Sequence, residues 1–88
     1  MSYQLITESA GTIHEVHNIL LKTLEFPESY GYNLDALYDC LTEMDLPCSV
    51  EWLDYKSTVK KLGTDIKLIR KVFEEYATEE GEFHFRTN

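Results

Sequence analysis

Pro27-Glu28-Ser29-Tyr30-Gly31-Tyr32-Asn33-Leu34-Asp35-Ala36-Leu37-Tyr38-Asp39-Cys40-Leu41 reads as a tight aromatic loop running into a helix. Asn33 suits the N-cap, where its side-chain oxygen accepts a hydrogen bond from a backbone N–H of the first turn. Residues four apart lie one above the other on a helix, so Asp35 and Asp39 share a face. Leu34, Leu37 and Leu41 fall on the other side at core spacing. Cys40, beside that core face, behaves as a small apolar residue. Two like charges at this spacing mildly destabilise a helix, and keeping both on one short helix points to a cationic target.

On either side of this run, strands alternate with helices. Tyr3 to Thr7 reads as a first strand. Thr12 with Glu15 three positions on matches a capping box, and Ile13, Val16, Leu20 and Leu24 follow at helical spacing. Lys22 and the approach to Pro27 close that helix. The loop from Phe26 to Tyr32 carries Pro and Gly, as a turn should, and the second helix is predicted over Leu34 to Glu43. Pro47 breaks the chain before a second strand, Cys48 to Leu53. Asp54 can cap a short third helix that Gly63 ends. Thr64 or Asp65 can cap a fourth, whose stripe is Ile66, Ile69, Val72, Phe73 and Tyr76, with Gly81 as its stop. Phe83 and Phe85, alternating with Glu82, His84 and Arg86, give a third strand. Strands separated by helices imply crossovers and a parallel sheet, so the class is α/β, with no strand order fixed by periodicity. The absence of any linker or repeat predicts one domain over residues 1–88.

Composition narrows the partners. The formal charge is −8, from sixteen Asp and Glu against eight Lys and Arg. Phosphate contacts need a basic surface, so no direct binding of nucleic acid is expected. An acidic soluble protein is the plain reading of such a charge, and an acidic protein with a basic partner is the sharper one. The start lacks a basic segment followed by an apolar run, and no apolar run is long enough to cross a membrane, so a cytoplasmic protein without membrane contact is expected. Two cysteines, Cys40 and Cys48, are too few for a disulfide scaffold and carry no C-x-x-C spacing. Both are expected to be free.

The Asp35/Asp39 pair admits a catalytic, a metal-binding, a cation-binding or a merely solvated reading. Acid–base catalysis needs a cleft that pushes two pKa values apart, which one surface helix does not offer. A calcium loop needs alternating oxygen ligands around a Gly, and that pattern is absent. Tyr30, Gly31, Tyr32 and Tyr38 set aromatics beside the acids, and aromatics with a few charges make interface cores. His14 and His17, at i, i+3, are a metal half-site without a further ligand, so they read as surface or capping histidines, and no metal is expected. Trp52 beside Glu51 reads as a buried strand residue with an anchored ring N–H. Lys56, Lys60, Lys61, Lys67, Arg70 and Lys71 read as a solvated basic face.

The run P-x-x-Y-G-x-N-L-D-A-L-Y-D-C-L resembles the signature of the barstar family, intracellular inhibitors of a secreted bacterial ribonuclease. The resemblance continues through Pro47 and Glu51-Trp52, then more loosely through Val72-Phe73-Glu74-Glu75 to the end. It implies a three-stranded parallel sheet packed with about four helices. It also implies a basic ribonuclease or nuclease toxin domain as partner, bound one to one by an inhibitor that is monomeric when free. On matching positions, Asp39 takes the place of the central phosphate-mimicking acid and Asp35 that of a second acid. Gly31, Asn33, Leu34 and Thr42 fall at loop and helix contacts. Tyr38 stands at a contact position that is Trp in the type member. Val72 and Glu75 align with a further contact region after a one-residue shift, since this chain is shorter between Thr42 and Pro47. Tyr30 and Ser29 belong to the contact loop, and Ser29 replaces an aromatic that packs on the enzyme's catalytic histidine. Met44 replaces a tryptophan and Tyr32 a glutamate. These departures change the rim of the site and leave its two acids in place.

Two other classes compete. An acyl-carrier-like protein shares the size, the acidity and the L-D-A-L helix start, but Ala36 stands where the attachment serine would be. A small enzyme would need a nucleophile–base pair, a Gly-rich phosphate loop or a metal motif, and none is present. No enzymatic activity and no cofactor are therefore expected.

Overall fold

A computed structural model describes all 88 residues, Met1 to Asn88. The chain runs β1 (Ser2–Leu5), α1 (Ile13–Thr23), α2 (Leu34–Thr42), β2 (Cys48–Trp52), α3 (Tyr55–Leu62), α4 (Thr64–Glu79) and β3 (Phe83–Thr87). The three strands form one parallel sheet in the order β1-β2-β3. Each crossover between neighbouring strands is a pair of helices, which supplies the length a parallel connection needs. This is the α/β arrangement, with four helices, that the sequence predicts. No helix is long and apolar enough to cross a membrane.

The register explains the alternation. Cys48 pairs with Phe83 and Val50 with both Tyr3 and Phe85, so inward-facing residues from all three strands line up. Cys48, Val50 and Trp52 are buried while Ser49 and Glu51 between them are not. Phe85 stacks on Phe73 of α4 at 4.7 Å, and Tyr76 packs on Phe83 at 4.9 Å. Leu37 and Leu41 of α2 are fully buried, and α2 packs on α4.

Several boundaries move for reasons visible in hydrogen bonds. β1 ends at Leu5, and Thr7 is recruited instead into a buried polar network. Trp52 Nε1 donates to Thr7 Oγ1 at 3.0 Å, and the Thr7 hydroxyl lies 2.6 Å from that of Thr58. Asp54 stands at the N-cap of α3 as expected, but its carboxylate makes no cap. It accepts from Thr7 N at 3.0 and 3.1 Å and from Thr7 Oγ1 at 3.0 Å, closing the ends of β1 and β2 together. Neither Thr64 nor Asp65 caps α4. The N-cap is Gly63, which ends α3 and starts α4 at a φ of +81 that only glycine adopts without strain.

The start of α1 follows the expected chemistry with one change. Thr12 Oγ1 accepts from Glu15 N at 3.1 Å, and Glu15 Oε1 accepts from Gly11 N at 2.9 Å, one residue before the position of the usual capping box. At its other end Glu25 takes a left-handed φ of 59 and Phe26 N donates to Leu21 O at 2.9 Å. That is the Schellman closure with glutamate in the place that favours glycine.

The basic face is only partly free. Lys56, Lys60, Lys67 and Lys71 are exposed. Lys61 instead donates to the carbonyls of Glu8 and Ala10 at 2.7 and 2.9 Å. Arg70 pairs with Glu74 at 3.1 Å and lies 4.8 Å over the ring of Tyr55.

Candidate functional site

The loop before α2 is built from its own side chains. Asn33 Oδ1 accepts from Ala36 N at 2.8 Å, the expected cap, while its Nδ2 donates to Gly31 O at 3.1 Å. A Cβ on Gly31 would meet Asn33 Nδ2 at 3.2 Å and the Ala36 side chain at 3.3 Å, so the close approach of loop to helix favours glycine there. Tyr32 takes a left-handed φ of 55, a strained conformation for a bulky residue. Two contacts hold it: its hydroxyl donates to Asn18 Oδ1 at 2.8 Å, and its ring stacks on His14 at 4.5 Å.

Tyr30 requires a correction. Expected among the contacts, it is buried at 5% exposure, its ring 5.1 Å from Phe26 and 5.3 Å from Tyr32. Its hydroxyl lies 2.6 Å from His17 Nδ1. His17 is also buried rather than at the surface, and burial, with His14 second, lowers its pKa. Burial pushes the Tyr30 phenol far up, with smaller contributions from Cys40 and Tyr32. Both groups are therefore neutral near pH 7, and the 2.6 Å contact is a hydrogen bond between an uncharged phenol and an uncharged imidazole. Tyr30 acts as a strut beneath the loop, and only neighbours such as Ser29 and Gly31 are exposed.

On α2 itself Asp35 and Asp39 are exposed, one turn apart. Neither carboxylate takes part in an ion pair or accepts a hydrogen bond within the chain; the 2.6 Å bond from Thr42 Oγ1 goes to the backbone carbonyl of Asp39. Asn33 and Thr42 are exposed beside them, and Leu34 and Tyr38 are half-buried. Packing of α2 on α4 brings up Val72, half-buried against the core, and Glu75, exposed. Met44 is turned elsewhere: with Met1, Tyr3, Leu24 and Phe26 it lines a hollow of about 250 Å³ near the start of β1.

The charge around this face is one-sided. Between Lys22 and Lys56 the chain holds no Lys or Arg but eight Asp or Glu, and between Lys71 and Arg86 none but five Glu. The two ion pairs of the molecule, Arg70–Glu74 and Arg86–Glu51, leave Asp35, Asp39, Glu75 and Glu79 out. The last turn of α4 carries no base, although the helix dipole favours cations there. The result is an exposed carboxylate surface with aromatic side chains set into it.

Glu79 is a member of this surface that the sequence did not reveal. It accepts a hydrogen bond from the Tyr38 hydroxyl at 2.6 Å. Its spacing of four from Glu75 signals a shared face, but nothing in the chain links it to a residue 41 positions away. The clasp of Asn18 and His14 on Tyr32 is equally invisible in a linear reading. No group of three or more His, Cys, Asp or Glu side chains is arranged to hold a metal ion. Cys40 and Cys48 are both free and buried, and burial, with Glu43 and Asp39 adding to it, raises the Cys40 thiol pKa.

Comparison with known proteins places the chain in a family. A Bacillus subtilis (strain 168) protein named "Putative ribonuclease inhibitor YrdF" is 38% identical over 64 residues, covering 72% of this chain and 70% of that protein. Residues 2–88 match the family described as Barstar (barnase inhibitor). With nearly its whole length matched, the chain belongs to the barstar family.

Proposed function

We propose that this protein inhibits a basic ribonuclease by covering its active site with the exposed face of α2 and the loop before it. Asp35 and Asp39 stand in for RNA phosphates. A ribonuclease gathers Arg, Lys and His to hold those phosphates, and carboxylate–guanidinium contacts are charge-assisted and can be bidentate. The observation that carries this reading is the pair of exposed carboxylates, free of any partner in the chain, on a helix whose loop is already locked by Asn33, Tyr32 and Tyr30. A face organised before binding loses little freedom on binding. Family members are inhibitors and not enzymes.

The complex is one to one, and the inhibitor is a cytoplasmic monomer when free, guarding its cell against the nuclease as an immunity protein does. The carrier-protein alternative has no support, because Ala36 offers no attachment point. Ser29, Tyr32 and Tyr38 set which nuclease rim fits, since flanking side chains reject wrong partners while the acids attract any phosphate-binding site; Met44, turned toward the hollow near β1, drops out of that set. Stopped-flow mixing with a barnase-type ribonuclease over a range of ionic strength tests the reading. The association rate should fall steeply with salt, because opposite fields steer the encounter. A salt-independent association rate would show recognition by apolar fit and would remove phosphate mimicry from the account.

A further inference from the structure

Tyr38 and Glu79 join the two helices that make up the acidic face. The Tyr38 hydroxyl donates to Glu79 Oε1 at 2.6 Å, and the Tyr38 ring meets Tyr76 edge-on at 5.9 Å. The ring is therefore fixed at both its edge and its tip. A hydrogen bond to a carboxylate is charge-assisted and short. It also raises the Tyr38 phenol pKa, with Glu79 as the leading cause, so the hydroxyl stays a donor around neutral pH. Glu79 has no cation partner and sits in the last turn of α4, the end where the helix dipole disfavours an acid. With Glu75 and Thr78 it lines an open hollow of about 320 Å³ beside α2. Tyr38 thus bridges the α2 acids and the α4 acids.

We propose that Glu79 is a positioning residue of the inhibitory face, holding Tyr38 as a fixed aromatic wall between Asp39 on α2 and Glu75 on α4 without contacting the nuclease itself. This rests on the inhibitory reading above and adds a role to it. A side chain ordered in the free protein loses no further rotamer freedom on binding, and differences of that kind appear in the dissociation rate. The association rate follows total charge, which Tyr38→Phe leaves unchanged.

The test measures association and dissociation of a barnase-type ribonuclease with wild type, Tyr38→Phe, Glu79→Gln, Glu79→Ala and the double variant Tyr38→Phe/Glu79→Ala. Tyr38→Phe and Glu79→Ala should each speed dissociation by roughly 2–10-fold, the range for freeing one flexible side chain. The double variant should be no worse than either, because both remove the same contact. Glu79→Gln keeps an acceptor for the phenol and should stay within about twofold of wild type, well inside the range for losing the contact. A Glu79 that touches the enzyme directly gives the opposite pattern. Glu79→Gln would then match Glu79→Ala, or Tyr38→Phe would bind more tightly by freeing the carboxylate, and either result overturns the proposal.

A second readout needs no partner. In an NMR titration of isotope-labelled tyrosine, Tyr38 should titrate above the ordinary phenol range in wild type and move back down in Glu79→Gln. A wild type that binds the enzyme while Tyr38 titrates normally defeats the positioning role alone. A wild type that binds no ribonuclease defeats the inhibitory reading and the positioning role together.

Discussion

Asp54 and Asp39 carry the same side chain into opposite surroundings. Asp54 accepts three contacts from Thr7 and lies against a network in which Trp52, Thr7 and Thr58 satisfy one another. Asp39 is exposed and accepts nothing from the chain. The first carboxylate has its partners within the fold and ties β1 to the start of α3. The second is held rigidly on a buried-sided helix yet left without a counter-charge, as are its neighbours Asp35 and Glu75. A fully partnered acid contributes to stability, and an unpartnered acid on a fixed frame is left open to a cation from outside.

The largest expected effect separates the two on the binding side. Asp39→Ala should weaken nuclease binding by about 2–5 kcal/mol, the range for truncating one member of a desolvated charge pair, where the barnase–barstar pair supplies some of the measured cases. Its unfolding free energy should move by less than about 0.5 kcal/mol, as for other surface changes. Titration calorimetry and urea unfolding measure both. A binding loss below about 1 kcal/mol, typical of exposed pairs, would take Asp39 out of the interface.

Asp54→Ala should reverse the pattern. Removing its carboxylate leaves the Thr7 N–H without its acceptor and takes one of two possible acceptors from the Thr7 hydroxyl, at a cost of about 1–3 kcal/mol of stability. Thr7→Val sharpens this, since it strips Trp52 Nε1 of its acceptor in a site with no exposure. Nuclease affinity should be unchanged in both variants at temperatures where they are folded. Parallel loss of affinity and stability would mean that the two regions are coupled.

His17 lies between the extremes, a buried group that supports the loop before α2 through Tyr30. Its folded-state pKa lies below the ordinary value of about 6.5. The unfolded chain then binds a proton more readily, so its contribution to stability is fully present above about pH 6.5 and is lost as pH falls from there through the folded-state value. Denaturant midpoints measured between pH 7.5 and 5 should show that decline, and His17→Gln should flatten it. An equal slope in the variant would assign the decline to other groups.

The smallest effect tests whether strain next to the site is functional. Glu25→Gly relieves a left-handed conformation in the Schellman turn and should stabilise the protein by roughly 0.5–1 kcal/mol, the conformational gain less the added freedom of the unfolded chain. Thermal unfolding reads this directly. Destabilisation instead would show that the Glu25 side chain contributes contacts that outweigh its backbone strain.

Local chemistry in the chain determined most of the elements and the centre of the site. Asn33 caps α2 because its short amide reaches the first-turn N–H, and Asp35 and Asp39 share a face because 3.6 residues make a turn. Apolar spacing marked α1, α2 and α4, Asp54 and Gly63 bracketed α3, and alternation marked Phe83 and Phe85 as a strand. Those signals involve neighbours within a few residues, so they are written in the linear sequence. Tertiary structure decided what depends on contacts between distant positions. It placed the strands in the order β1-β2-β3, turned Asp54 from a helix cap into the acceptor for Thr7, and buried Tyr30 against His17. It also linked Tyr38 to Glu79 across 41 residues. A side chain with two possible partners takes the one that packing brings within reach, and packing is a property of the whole chain rather than of any segment.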